Sequence, residues 1–238
     1  MAEPPKVVII GGTSGIGLAT AQYLSQNKYK VIVAGRRALK LEGIDTFQVD
    51  VRHEESIANL FDVQLAGQND INALIYASGI TSPAKNIQTF DRKVWDEIVS
   101  TNVTGALLTL KYAYAVLRRN RGRVVIINSL AGRKYSRLSG VEYTVSKTAL
   151  SGLVRQLAVE WAPEEILINS VFPGMTLTPM LAEHINDTGL DDIEKEIPLG
   201  RIARTEDVTR AIEFLISPKN TYMTGTGIDV CGGQFLSA

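Results

Sequence analysis

The chain has 238 residues, 45% of them hydrophobic and 21% charged, which suffices for one large domain or two small ones with an ample core. Its 25 Lys and Arg balance 25 Asp and Glu, and this neutrality excludes the basic footprint of a general nucleic-acid binder. One cysteine, Cys231, excludes an internal disulfide, and with only two histidines beside it no metal-ligand spacing can be read.

The first predicted strand, 6–10, is the apolar run Lys6-Val7-Val8-Ile9-Ile10, too short for a signal sequence core. It leads directly into Gly11-Gly12-Thr13-Ser14-Gly15-Ile16-Gly17, which opens a predicted helix over 15–26. Glycines between a strand and a helix let backbone N–H groups approach a pyrophosphate at the helix N-terminus. Glycines also make ordinary turns, so the strand before and the helix after carry the inference. The spacing Gly11-xxx-Gly15-x-Gly17 differs from the usual dinucleotide fingerprint, whose first two glycines are one residue apart.

The second predicted strand, 30–34, ends in Gly35-Arg36-Arg37. A site for NAD places a carboxylate here for the ribose 2′-hydroxyl, whereas a site for NADP offers an arginine to the 2′-phosphate. Gly35 stands where the acid would be, and a guanidinium forms forked, charge-assisted bonds with phosphate. The expectation is NADPH; the competing reading is a solvated arginine pair that begins the next helix.

A strand at 46–49, a helix at 54–66 and a strand at 71–77 follow, then a long helical pattern at 92–119. Within it, residues 103–117 carry apolar side chains on nearly every face, which predicts burial all round and, in a layered α/β fold, a partner subunit over the outer face. Thr104, Thr109 and Lys111 interrupt the run, and it falls short of the ~20 residues a bilayer requires.

The strand at 123–128 ends at Ser129. A polar connection follows, with Arg133, Lys134 and Arg137, and then a helix at 143–162. Tyr143 and Lys147 stand four apart on that helix, so both project from one face. A phenol is a poor proton shuttle at neutral pH, but a cation ~5 Å away at an effective dielectric of ~20 contributes about 3 kcal/mol, or roughly two pKa units. Such a pair also arises by chance on a solvated helix face. What gives it weight is Ser129 at a strand end, where this fold class gathers its ligand groups. The three basic residues of the connection admit two readings: they attract an anionic substrate, or they are solvated or face the acidic lid, and the second is favoured.

A strand at 167–172 precedes an acid-rich, weakly helical insertion at 175–201, the expected position of a substrate lid. A helix at 206–216 and a strand at 227–230 close the pattern. Strands alternating with helices imply right-handed βαβ units. The fold class expected is α/β, one Rossmann-type domain spanning 1–238, with about seven parallel strands doubly wound by helices on both faces.

With these motifs in this order the chain resembles the classical, NADP-preferring short-chain dehydrogenase/reductase family. The glycine turn, Asp50-Val51, Tyr76-Ala77-Ser78-Gly79, Asn102, Ser129 with Gly132, Tyr143-xxx-Lys147, Pro173-Gly174 and Gly232-Gly233 carry the likeness over residues 6–235. The resemblance implies a proton donated by Tyr143, a substrate oxygen held by Ser129, a nicotinamide ribose bound by Lys147 and a relay water retained by Asn102. It implies cofactor contacts from Gly11, Thr13, Ser14, Gly15, Ile16 and Gly17, and from Arg36 and Arg37. Asp50 and Val51 would meet the adenine, while Ala77, Ser78 and Gly79 would line the cofactor. Tyr143, Lys147, Pro173, Gly174, Thr176 and Thr178 would surround the nicotinamide end. The chain departs from the family at Ile10, where a threonine is usual, at Tyr76-Ala77-Ser78-Gly79 in place of Asn-Asn-Ala-Gly, and at Cys231 in place of an aspartate.

The activity this implies is an NADPH-dependent oxidoreductase that interconverts a carbonyl compound and its alcohol. A 3-oxoacyl-thioester reductase lies within that class, because the segment from Pro198-Leu199-Gly200-Arg201 looks like those enzymes. The rivals are a non-catalytic NADPH-binding sensor or scaffold, and a dehydratase or epimerase that retains its nicotinamide. Also expected are a small-molecule substrate, a homotetramer or dimer, no nucleic-acid or membrane partner, and a cytoplasmic location.

Overall fold

Side chains alternate across a pleated strand, so β1 (Lys6–Ile10) sends Val8 and Ile10 to one side of the sheet and Val7 and Ile9 to the other. All four are 0–1% exposed, which places β1 at the centre of the molecule. The structure is a computed structural model that describes residues 3–37, 39–83, 86–182 and 187–236.

Seven strands form one parallel sheet in the order β3-β2-β1-β4-β5-β6-β7. They are β1, β2 (Lys30–Gly35), β3 (Asp45–Gln48), β4 (Ile71–Tyr76), β5 (Arg123–Ile127), β6 (Leu167–Pro173) and β7 (Gly227–Val230). The register aligns Ile9 with Val33 on one side and with Ile75 on the other. The predicted strands are all present, with ends displaced by no more than one residue.

Helices cover both faces. Val7, Ile9, Val33 and Ile75 pack against Ala21 and Leu24 of α1 (Gly15–Gln26) and Val208, Ile212 and Leu215 of α8 (Thr205–Ile216). Val8, Ile10, Leu74 and Ile126 pack against Leu110 and Leu117 of α4 (Gly105–Arg119) and Leu150 and Val154 of α5 (Val141–Trp161). Each fully buried side chain of this size contributes about 1.5–3 kcal/mol, so the two layers hold the sheet from both sides.

Two predicted helices are not continuous. The 54–66 pattern is α2 (Glu54–Asn59) followed by a π turn, Leu60–Gln64. The 92–119 pattern is α3 (Arg92–Val99), a π turn at Ser100–Thr104, and then α4. A π turn takes one extra residue into the helix, and within a run as apolar as 103–117 the resulting shift in phase is hidden, so the pattern reads as one helix. The lid expected at 175–201 contains α6 (Pro179–Ala182) and α7 (Asp187–Lys195), while its residues 183–186 lie outside those described.

The strand order reverses direction at β1 and β4, which opens a crevice at their carboxyl ends. The Gly11 amide donates to the Ala34 carbonyl and the Ala77 amide to the Ile10 carbonyl, both at 2.7 Å, so the loops after β1, β2 and β4 meet at that edge. Among the described residues no helix is long and apolar enough to cross a membrane.

Candidate active site

The glycine turn is shaped by close approach. Gly11 has φ +88°, and a Cβ there would run into the backbone of Ala77 and Ser78; a Cβ on Gly17 would run into the Gly11 carbonyl. Gly15, at φ +53°, has only the Thr178 side chain, 3.7 Å from where a Cβ would stand, so the ledge above it is open. Ser14 caps α1 without a side-chain hydrogen bond, which leaves the first-turn N–H groups aimed at that ledge. Open backbone at a helix N-terminus is what a pyrophosphate requires, and the cradle fits a dinucleotide.

A cavity of about 350 Å³ runs from this turn across the ends of β4, β5 and β6. It is lined by Gly11, Ser14, Gly15, Ile16 and Gly17, then by Ala77 and Gly79, and at its far end by Ser129, Tyr143 and Lys147. Pro173, Gly174, Thr176 and Thr178 form the wall facing α5. Thr176 Oγ1 donates to the Gly174 carbonyl at 3.0 Å and Thr178 Oγ1 to the Thr176 carbonyl at 3.3 Å, so the two hydroxyls stiffen this wall.

The remaining predicted residues stand off the cavity wall. Arg37 Nη2 donates to the Thr13 carbonyl at 2.6 Å, which places its guanidinium beside the glycine turn. Arg36 is exposed next to it. Asp50 is clasped by Arg52 through Nε at 3.0 Å and Nη2 at 2.6 Å, and this guanidinium holds the carboxyl at about 2. Val51 is buried against Gly105, and Ser78 meets Gly11 by backbone. Asn102 lies beneath the cavity floor, wholly buried.

At the far end of the cavity, Tyr143 and Lys147 extend from α5 toward the end of β5. Lys147 Nζ donates to the Ile127 carbonyl at 2.9 Å and stands 5.6 Å from the centre of the Tyr143 ring. Burial pushes the Lys147 ammonium down to about 8. Burial also raises the Tyr143 phenol above its ordinary range, against a hydrogen bond from Ser129 that acts to lower it. The lowering that spacing alone predicts for the phenol is therefore outweighed, in the protein by itself, by the loss of water around both groups.

Asn102 sits inside the π turn between α3 and α4. Its Oδ1 accepts from the Ile80 amide at 2.9 Å, and its Nδ2 donates to the Ile80 carbonyl at 3.0 Å and to Ser146 Oγ at 2.9 Å. Ser146 in turn donates to the Tyr143 carbonyl at 2.8 Å. Ser146 belongs to none of the sequence motifs, and its position three residues after Tyr143, on the same helix, is the one signal that could have found it. Asn128 was also passed over; its Oδ1 accepts from the Ser129 amide at 3.0 Å and its Nδ2 donates to Ser151 Oγ at 3.2 Å, which fixes the turn bearing Ser129. Gln234 is a third such residue, its Oε1 accepting from the Met175 amide at 3.0 Å behind the Gly174 wall.

The basic connection is committed to protein partners. Arg133 bonds Asp229 at 3.2 Å and lies 3.8 Å over the Phe172 ring, Lys134 donates to the Gln234 carbonyl at 2.6 Å, and Arg137 pairs with Glu196 across the cavity mouth. Arg137 thus faces the acid-rich 175–201 segment as the favoured reading has it, whereas Arg133 turns to β7 and Lys134 to a backbone carbonyl, and Lys134 and Arg137 also line the cavity.

Residues 11–234 match a family model described as Enoyl-(Acyl carrier protein) reductase. The chain is 31% identical over 237 residues to Dehydrogenase/reductase SDR family member 2, mitochondrial, of Homo sapiens, covering 94% of this chain and 84% of that one. It is 30% identical over 244 residues to the 3-oxoacyl-(acyl-carrier-protein) reductase FabG of Aquifex aeolicus (strain VF5), covering 96% of each. A solved structure of ElxO with NADP bound superposes with a TM-score of 0.89 at 28% identity, covering 97% of this chain and 98% of the other.

Proposed function

The chain belongs to the short-chain dehydrogenase/reductase family, and from that premise we propose how its residues perform the chemistry. It is an NADP(H)-dependent oxidoreductase that interconverts a carbonyl compound and its alcohol. The carrying observation is one cavity that joins the open glycine ledge to Ser129, Tyr143 and Lys147. When bound, the dinucleotide supplies or accepts the hydride.

The residues divide the remaining work. The first-turn amides of α1, with Gly11 and Gly15 beneath them, hold the pyrophosphate. Arg36 and Arg37 face the 2′-phosphate of the adenosine, and no acid stands at Gly35 to repel it. Asp50 and Val51 border the adenine, and the Gly174, Thr176 and Thr178 wall borders the nicotinamide. Ser129 Oγ and the Tyr143 hydroxyl hold the substrate oxygen between them, and in the reductive direction the phenol proton moves to that oxygen. Lys147 supplies positive charge beside the phenol and returns a proton to it. Asn102 keeps the floor of this relay in place through Ile80 and Ser146.

Substrate is admitted between the 133–139 connection and α6, where Tyr135, Leu138 and Leu181 present apolar surface. A carbonyl compound with an apolar arm fits this mouth. A 3-oxoacyl thioester is one member of that class, in keeping with the likeness to the Aquifex reductase.

A homotetramer or dimer is proposed from the outer faces of α4 and α5. Leu107 on α4 and Val141, Val145 and Val159 on α5 are 40–78% exposed, and a second copy would cover them. A cytoplasmic setting accords with the lone, buried Cys231. The direct test is NADPH absorbance across a panel of ketones, aldehydes and 3-oxoacyl thioesters, repeated with NADH. Carbonyl-dependent oxidation of NADPH is expected, and a panel giving none would overturn the assignment.

A further inference from the structure

Tyr76 closes β4 where the family usually has asparagine, and it is wholly buried. Its hydroxyl donates to the Thr101 carbonyl at 2.6 Å. Thr101 is the residue before Asn102, inside the π turn Ser100–Thr104, whose closing bond runs from the Gly105 amide to the Ser100 carbonyl. A helix that changes its hydrogen-bond step needs other partners for the carbonyls it displaces, and π turns recur where a side chain must be re-aimed.

The fit around the hydroxyl is specific. A Cβ on Gly105 would lie 2.7 Å from the Tyr76 oxygen and 2.9 Å from Val51 Cβ, so the absent side chain at Gly105 is the space the phenol occupies. Burial raises the Tyr76 phenol far above its ordinary range, and it stays a neutral donor throughout the working range of the protein. From the sheet side the phenol holds Thr101; from the far side Ile80 and Ser146 hold the Asn102 amide. Asn102 is thereby fixed between two rigid elements, β4 and α5.

We propose that Tyr76 is a positioning residue for the proton relay: through the Thr101 carbonyl it sets the π turn that aims Asn102, and Gly105 is required because it makes room for that hydroxyl. The inference rests on the reductase reading above and adds a residue to its machinery.

The experiment compares Tyr76→Phe with wild type in steady-state reduction of one carbonyl substrate, in light and heavy water, alongside NADPH binding and thermal unfolding. The phenylalanine ring fills the same space and lacks only the donor. Expected are a kcat lower by about tenfold, KM values for NADPH and substrate within about twofold, and an enlarged solvent isotope effect as proton transfer becomes limiting. A hydroxyl that merely stabilises the fold would lower Tm and leave kcat and the isotope effect unchanged, and that result overturns the proposal. If Tyr76→Phe does not fold, Gly105→Ala replaces it, because its methyl forces the hydroxyl from Thr101; the same changes support the proposal and unaltered kcat overturns it. Wild-type turnover with unaffected variants sinks this inference alone, whereas a wild type without turnover on any carbonyl sinks the reductase reading and this inference with it.

Discussion

The Lys147 ammonium stands 5.6 Å from the centre of the Tyr143 ring and is tied by a 2.9 Å bond to the Ile127 carbonyl at the end of β5. That tie holds the lysine against swinging to solvent, so the position of its nitrogen beside the phenol is set by the fold. It also joins α5, which bears Tyr143, to the strand that leads to Ser129.

On the proposed roles, replacing Tyr143 by Phe removes the proton assigned to the substrate oxygen. A positioned acid is worth about 10²–10⁴ in rate, so kcat is expected to fall by that factor. NADPH binding, followed by fluorescence, should be nearly unchanged. Retained turnover would exclude Tyr143 as the acid, while loss of both turnover and binding would point to a collapsed site.

The Lys147 value near 8 has consequences of opposite sign for activity and stability. If reduction draws its proton through the proposed Lys147 relay, kcat/KM of the reductive direction should fall about tenfold per pH unit above about 8. For stability, the unfolded chain holds this proton up to its ordinary 10.5 while the folded chain releases it near 8. The folding penalty, about 3 kcal/mol, is therefore fully present below about pH 8 and disappears as pH rises from there toward 10.5. Lys147→Met should abolish turnover yet unfold at a higher temperature than wild type at pH 7, with the gap narrowing toward pH 10. A Met variant less stable than wild type at pH 7 would contradict the cost assigned to the buried ammonium.

Cofactor choice is expected to resist a simple exchange at Gly35. A Cβ there would lie 2.8 Å from Thr13 Cγ2, so Gly35→Asp collides with the glycine turn before it can reach a ribose. The single variant should lose use of both NADPH and NADH, and pairing it with Thr13→Ala should recover NADH turnover. Arg36→Ala alone should raise KM for NADPH by about ten- to a hundredfold, the worth of a hydrogen bond to a charged group. Equal kcat/KM for the two cofactors in the wild type would remove the arginines from this role.

Ser146→Ala leaves the Asn102 amide short of one acceptor in a buried setting. A loss of about 1–3 kcal/mol in unfolding free energy is expected. Urea titration measures it, and a change below ~0.5 kcal/mol would show that the amide finds another acceptor.

Arg133 is held by Asp229 and by the face of Phe172. Arg133→Ala should lower Tm, at a cost of about 1 kcal/mol, and leave KM for an anionic carbonyl substrate and its salt dependence unchanged. A KM that rose only at low salt would restore the steering reading.

By itself the sequence determined the layered α/β architecture, because near-continuous apolar runs such as Val7–Ile10 and amphipathic helices have few ways to bury their faces together. Local spacing likewise specified the glycine turn and placed Tyr143 and Lys147 on one helix face, since both depend on neighbours along the chain. What only the tertiary structure decided involves groups distant in sequence. Tyr76 meets Thr101, Asn102 meets Ser146, and Arg133 turns to Asp229 and Phe172 instead of the cavity. The π turn at Ser100–Thr104 belongs with them, for it is held by a contact that a neighbouring strand provides, the Tyr76 hydroxyl on the Thr101 carbonyl, and no local pattern names that partner. The titration of Lys147 and Tyr143 follows the same rule: spacing places a cation by a phenol, but the water that packing removes sets which form each group prefers.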